Sequence, residues 1–484
     1  MADPIQHVVV LVLENQSFDR LVGLTPGVDG VNPLALRSNP DTLHHTQVQQ
    51  NPAATATDYK PAHMDHDPKH DYQDVRQQIG SGCAGFVDNF LHNYPKGNPR
   101  EIMAYYDAGY LPTLNTLARQ FVICDRWFCS VPGPTWANRF FINTGTSLGH
   151  LDMPSLGHFD PAIHNYDQPT IFERLSEASP QVDWRIYFHD FSQTALLTRQ
   201  RHYAANYRYI HSFYDDCKNA ATFPQYAFLE PKYFWPEEND QHPTSDIRRA
   251  DGLIARVYNA LRANAELWNT TLFVILYDEH GGFYDHVDPS GPAYKAKAVP
   301  PDAHISPAPD NFAFDLFGPR VAAVLVSPLL DSGVLHGIYD HTSLLKYLTQ
   351  KWNLGPLGNR TAAANNFADE LVWRTTPRPV PPTTFAIAAI PEDPKPTGLT
   401  DGQAALVAFS RYLELQMAQQ TPAGPQKQSF LQDVGERLLS TVEDVTRHGD
   451  VAAERLRLFL NTQGAALPPP VAPPNPSPVT PPHP

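Results

Sequence analysis

Two stretches of this sequence hold side chains suited to chemistry at positions where packing does not require them. Residues 7–19 read HVVVLVLENQSFD, an apolar run that ends abruptly in the carboxylate of Glu14 and the amide of Asn15. Residues 271–286 read TLFVILYDEHGGFYDH, and here an apolar run ends in Asp278, Glu279 and His280, with Asp285 and His286 close behind. Carboxylates brought together repel, so they require a positive partner or a shared proton. One divalent cation with oxygen ligands meets that need. Taken singly, each pair also reads as a solvated turn or a helix cap. Two apolar runs that end the same way point to a site.

Other run ends add to the set. Residues 182–188 are followed by His189 and Asp190, and residues 226–230 end in Glu230. A nucleophile is offered by CSVPGPTWANRFFINTGTS at residues 129–147. A Gly-Pro turn there precedes Thr135, which opens a helical pattern with Asn138 one turn later. Backbone N–H groups at a helix start favour a phosphate, and a hydroxyl held there beside a metal can attack phosphorus. On the residues alone Thr135 reads better as a helix N-cap, the common use of Thr in that place, than as a nucleophile. A rival nucleophile, Ser147, sits in GTSLG. That elbow needs a strand before it and a helix after it. Here a helical pattern precedes it and HLDMPSLGHFD follows, so the residues favour Thr135 over Ser147.

These residues need a frame that brings their ends to one edge. Strand-like runs at 7–13, 121–128, 182–188, 226–230, 271–277 and 320–326 alternate with helical patterns such as 112–120 and 246–264. Several runs are apolar on both faces, as expected for strands covered by helices on each side. The alternation predicts an α/β fold with a mostly parallel central sheet sandwiched between helices. Ligands bind such sheets at the carboxyl ends of the strands. The polar segments 24–68 and 281–318 read as walls of a cleft at that edge.

Four parts are expected along the 484 residues: a catalytic domain over 1–375, a Pro-rich linker or wrap over 376–400, a helical extension over 401–465 and a disordered Pro-rich tail over 466–484. The extension should hold helices at about 402–419 and 427–462, the second with an apolar stripe through Leu431, Val434, Leu438, Val442 and Val445. A net charge of −15 excludes nucleic acid as the main partner, because phosphate backbones require a basic surface. No apolar run has the length of a membrane span, and the start of the chain has no export-signal pattern, so a cytoplasmic location is expected by default. Cys83, Cys124, Cys129 and Cys217 match no zinc-site spacing and read as buried thiols, with a Cys124–Cys129 bridge left open.

HVVVLVLENQSFDRLVG, DPKHDYQD, VPGPTWANRFFINTGTS, YDEHGGFYDHV, GPRVAAVLVSP and YDHTSLLKYL occur here in one order. In that order they resemble the bacterial phospholipase C / acid phosphatase phosphoesterase family over about residues 5–375. The resemblance implies an alkaline-phosphatase-like fold and a divalent metal ion of unspecified identity held by Glu14, Asn15, Asp278, Glu279 and Thr135. It implies Thr135 as nucleophile, with a phosphothreonine intermediate, and Asn138 on a phosphoryl oxygen. His70, His242, His189 and His280 are implied, in that order of preference, as phosphate ligands or proton donors. His286 and His341 lie in matching motifs with structural roles at least as well supported. The substrate implied is a phosphate ester, either a phospholipid diester or a phosphomonoester. A catalytically silent phosphate- or metal-binding protein is the alternative of another class.

Overall fold

The computed structural model describes residues 3–155, 159–295, 311–380, 382–393, 395–420 and 445–469. Its main sheet has eight strands: β1 (His7–Leu13), β2 (Val122–Cys124), β3 (Trp184–Phe188), β4 (Tyr207–Tyr209), β5 (Tyr226–Glu230), β6 (Thr271–Tyr277), β7 (Ala323–Val326) and β8 (Gly333–Leu335). Their order across the sheet is β8-β2-β7-β6-β1-β5-β3-β4. Only β7 runs against the others, pairing antiparallel with β6 and β2. Every residue of β1 and β6 is buried, whichever face it points to. That pattern requires cover on both faces of the sheet.

The cover comes from helices α1 (Pro112–Gln120), α2 (Thr135–Thr144), α3 (Arg248–Ala263) and α4 (His341–Lys351). Helix α1 packs against α3, and α2 against α4. Pro112 fills the first turn of α1, where its missing N–H costs nothing. Asp340 begins α4 with a capping box closed by Ser343.

The registers decide where side chains emerge. Leu13 pairs with Tyr277, so Glu14 and Asp278 leave neighbouring strands side by side. Glu230 ends β5 on the other flank of β1. The single 121–128 run divides into β2 and a two-residue strand at Trp127–Phe128, because Asp125 and Arg126 turn the chain between them.

C-terminal to the sheet, residues 382–393 lie along α3. Tyr258 Oη donates to Pro382 O at 3.0 Å and Asn259 Nδ2 to Phe385 O at 2.9 Å. Helices α5 (Asp401–Gln420) and α6 (Val445–Thr462) then pack on each other. The expected 427–462 helix is seen only from Val445. The stripe from Leu431 to Val442 and residues 470–484 lie outside the described residues. All four cysteines are buried and free, so there is no Cys124–Cys129 bridge. No helix among the described residues is long and apolar enough to cross a membrane.

Candidate active site

The ends of β1 and β6 are interlocked by their own backbone. Asp278 N–H donates to Leu13 O at 3.1 Å, and Gln16 N–H to Glu279 O at 2.9 Å. Asn15 takes a positive φ of 56°, which Asn tolerates better than most residues. Gly281, at φ +67°, faces it so closely that a Cβ would stand 2.2 Å from Asn15 O. Only glycine closes this junction.

Two cations, neither of them a metal, meet the carboxylates. Arg139, one turn beyond Thr135 on α2, donates from Nε to Asp278 Oδ2 at 2.8 Å, and its Nη2 lies 3.2 Å from Glu14 Oε1. Gln193 Nε2 donates to the same Glu14 oxygen at 2.6 Å. Asp278 Oδ1 accepts from the N–H groups of Asn15 and Glu279 at 3.2 and 2.7 Å. Burial, and with it the Asp278 charge, pushes Glu14 up to about 8 against the pull of Arg139. Burial also pushes Asp278 up to about 6.

His70 is the second cation candidate. Its Nδ1 donates to Pro68 O at 2.8 Å, while its Nε2 lies 3.3 Å from Asn15 Nδ2 and 3.8 Å from Glu279 Oε1. Burial alone would lower this ring, yet Glu279 and then Asp67 outweigh it and push it up to about 9. Burial would raise Glu279, but His70, His280 and the Gly281 N–H hold it below its ordinary value. The Asn15 amide turned towards Nε2 suits a neutral ring, whereas the surrounding carboxylates favour the charged one. Extra positive charge beside Glu279 would tip the ring to neutral.

Several buried oxygens are left over here, among them those of Asn15, Glu279, Gln16 and Gln193. Asn15 Oδ1 and Glu279 Oε1 accept no hydrogen bond. Leaving buried acceptors unpaired costs on the order of 1–3 kcal/mol each. An amide oxygen and a carboxylate oxygen are donors that a hard divalent cation takes. Among the described residues no three His, Cys, Asp or Glu side chains form a metal-holding group, and Glu14 and Asp278 have Arg139 as partner.

The remaining expected residues separate clearly. Thr135 is the first residue of α2, and Pro134 occupies the cap position, so the N-cap reading of Thr135 fails. Positions four apart share a helix face, so Thr135 stands on the face that carries Arg139 to Glu14 and Asp278. Asn138 does not offer its amide to a ligand. Oδ1 accepts from Val131 N–H at 3.2 Å and Nδ2 donates to Gly133 O at 2.9 Å, which ties down the loop before Thr135. His242 lies beside His70, with ring centroids 6.5 Å apart and its Nε2 3.5 Å from Asp67. His280 uses Nε2 on Gln78 Oε1 at 2.7 Å and holds Nδ1 3.5 Å from Glu279, so it braces that carboxylate. His341 donates from Nε2 to Asp278 O at 2.6 Å and accepts from Trp127 Nε1 at 3.3 Å. His189 is elsewhere: it lines a separate cavity, where its charged neighbours are Lys232 and Arg256.

A cavity of about 510 Å³ is bounded by Asp67, Lys69, Tyr94 and Trp235, and Asp67 connects it to His242, 3.5 Å away. Its far wall is Lys395–Asp401 of the C-terminal segment, pinned by an ion pair between Lys69 and Asp401. Among the large aromatic side chains, Trp235 lines this cavity. Trp136 and Tyr187 are wholly buried in the core, and Tyr284 packs edge-on against Phe86. Arg139 and the Lys395–Asp401 wall were not foreseen from the sequence. The four-residue step from Thr135 to Arg139 was the available signal for the first.

The profile of the Phosphoesterase family matches residues 5–355. Non-specific phospholipase C3 of Arabidopsis thaliana is 32% identical over 416 residues, covering 79% of this chain and 76% of that protein. Non-specific phospholipase C6 of the same plant is 35% identical over 413 residues, covering 79% and 75%. Non-hemolytic phospholipase C of Burkholderia pseudomallei is 30% identical, covering 72% of this chain and 55% of the relative. Among solved structures, an alkaline phosphatase superfamily protein from Vibrio parahaemolyticus aligns with a TM-score of 0.33 at 9% identity, over 54% of this chain and 65% of that one.

Proposed function

The chain belongs to the phosphoesterase family of hydrolases acting on phosphoric ester bonds, and from that premise we propose a phospholipase C-type diesterase that uses Thr135 as nucleophile. The observation that supports this most is the pair of buried oxygens without a hydrogen bond, Asn15 Oδ1 and Glu279 Oε1, at the strand ends where Arg139 holds Asp278 and Glu14. Asn15, Glu279 and the Thr135 hydroxyl would hold a divalent cation, with Glu14 and Asp278 behind them. A bound cation supplies Lewis-acid charge to the phosphoryl and hydroxyl oxygens.

The chain's own residues do the rest. Thr135 Oγ1, its proton passed to solvent, attacks phosphorus in line, the bond to the leaving oxygen breaks, and a phosphothreonine forms; water later attacks that phosphorus and the Thr135 oxygen leaves, taking a proton back from solvent. The first-turn N–H groups of α2 and the fixed Arg139 guanidinium place positive charge where negative charge accumulates. Asn138 positions the Thr135 loop. His70 or His242 gives a proton to the leaving oxygen, and the same ring takes the proton of the water that later cleaves the phosphothreonine. The cavity bounded by Trp235, Tyr94 and Asp67 receives the polar head group. The relatives named phospholipase C favour a diester over a monoester as substrate.

The deciding experiment compares p-nitrophenyl phosphorylcholine with p-nitrophenyl phosphate, for wild type and Thr135→Ala, with and without chelator. Diester hydrolysis lost on both mutation and chelation supports the proposal. Monoester hydrolysis alone makes the protein a phosphatase. Full activity in Thr135→Ala removes the nucleophile assignment, and full activity in chelator removes the cation.

A further inference from the structure

A second cavity lies apart from the one bounded by Asp67 and Trp235. A space of about 640 Å³ lies where the segment after β5 meets α3 and the C-terminal wrap. That segment serves both cavities: Trp235 and Glu238 line the first, while Lys232, Glu237 and Asn239 line the second. The pair formed by Arg249 Nε and Asp393 Oδ2, 3.0 Å apart, stands between them, one partner in each wall.

Three cations, Lys232, Arg249 and Arg256, and two carboxylates, Asp190 and Glu237, line the second cavity, in a chain whose net charge is −15. Arg249 is neutralised by Asp393. Asp190 spends its carboxylate on the N–H groups of Phe191, Tyr233 and Phe234 at 2.8, 3.1 and 3.0 Å. Glu237 sits exposed on the rim. Lys232 donates one of its three protons to Pro236 O, which leaves two. Arg256 is exposed and, among the described residues, pairs with no carboxylate. Its charge reaches both the His189 ring and the Tyr214 hydroxyl.

Those two side chains carry the argument further. Both line the cavity, and His189 Nε2 and Tyr214 Oη are buried without a hydrogen-bond partner. Burial, reinforced by Lys232 and Arg256, drives His189 down to about 3, and burial drives Tyr214 up to about 12. Both stay neutral at ordinary pH, as an imidazole and a phenol with protons to donate. Two unused neutral donors beside two available cations form a set that oxyanions satisfy. The wall at Ile387–Ile390 adds apolar surface, and the volume falls in the range of small-ligand sites.

We propose that this cavity is a second anion-binding site, in which Lys232 and Arg256, with His189 and Tyr214, hold a tetrahedral oxyanion, as free phosphate or as the phosphate of a small ester whose body rests on Ile387–Ile390. The proposal is independent of the Thr135 centre.

The test is isothermal titration with inorganic phosphate and with glycerol phosphate. The full chain carries Thr135→Ala throughout, which by the mechanism above suppresses turnover at the first site. Arg256→Ala is added, and then Lys232→Ala with it. We expect one binding event to weaken about tenfold in the first variant and to vanish in the second. Melting without ligand should stay unchanged for Arg256→Ala, since Arg256 is exposed. Tighter glycerol phosphate identifies an ester ligand, and equal binding identifies the free ion. An identical isotherm in all three proteins overturns the site, as does the absence of any phosphate binding in the first. Should the double variant fail to fold, Arg256→Ala alone decides.

Discussion

The same two chain segments that build the Glu14–Glu279 centre build a second buried charge cluster a few residues further on, and the two are finished differently. Asp19 follows β1 and Asp285 follows β6, with Arg320 between them. Arg320 Nε donates to Asp285 Oδ1 at 2.9 Å and its Nη2 to Asp19 Oδ1 at 3.1 Å. Asp285 also accepts from the N–H groups of Asp19 and Val287 at 3.2 and 3.0 Å. Asp19 accepts from His286 Nδ1 at 2.8 Å and from Gln50 Nε2 at 3.3 Å. Every carboxylate oxygen in that cluster has a donor. At the Glu14–Glu279 centre, Asn15 Oδ1 and Glu279 Oε1 have none. A saturated network does structural work, and one that leaves acceptors open is prepared for something to arrive.

The comparison breaks if the two clusters respond alike to loss of charge. Arg320→Met should cost about 3–5 kcal/mol of stability, because it strands two buried carboxylates. Denaturant unfolding would show it as a lower midpoint at similar slope. Glu279→Gln should do the reverse, lowering ester hydrolysis on the order of a thousandfold while changing stability by no more than about 1 kcal/mol. A Glu279→Gln protein that melts early and keeps its rate would make that centre structural as well. Gly281→Ala sits between the two. Its Cβ would meet Asn15 O at 2.2 Å, so the junction must open at a cost of about 1–3 kcal/mol. Activity should fall with stability there, whereas Gly333→Ala, with open space around its Cβ and no positive φ, should leave activity intact.

Much of the frame was legible because it rests on local patterns. β1, β5, β6 and α1 fall on the residues their apolar runs delimit. The reversal of β7 was not legible, since an apolar run such as RVAAVLV says nothing about direction. The strand ends bring Glu14, Asn15, Asp278 and Glu279 to one edge, while His189 lines another cavity. Strand order explains why. β5 lies between β1 and β3, and two strand spacings put about 10 Å between their ends. Arg139 was hidden because its role depends on which strand ends α2 faces, a tertiary fact. Asn138 carried a substrate role in the motif, yet its amide is spent on the loop.

The finest test of the comparison is pH, and His286 is the group to follow. Its Nδ1 faces Asp19 at 2.8 Å and its Nε2 faces Asp29 at 3.0 Å, so both nitrogens point at carboxylates. Burial would lower the ring, but the hydrogen bond and charge of Asp19 outweigh it and hold it above its ordinary value. A histidine raised in the folded state binds its proton more tightly there than in the unfolded chain. Its contribution is therefore complete below about pH 6.5, the unfolded value, and is lost as pH rises through the folded value. Asp29, held below its ordinary value in part by His286, keeps its charge across that window. The stability difference between wild type and His286→Gln should be largest at pH 6 and should shrink towards pH 9, with hydrolysis at a fixed pH little changed. Other titrating groups are common to both proteins and cancel in the difference. A difference that stays flat with pH would mean that His286 is neutral, leaving Arg320 as the sole cation balancing Asp19 and Asp285.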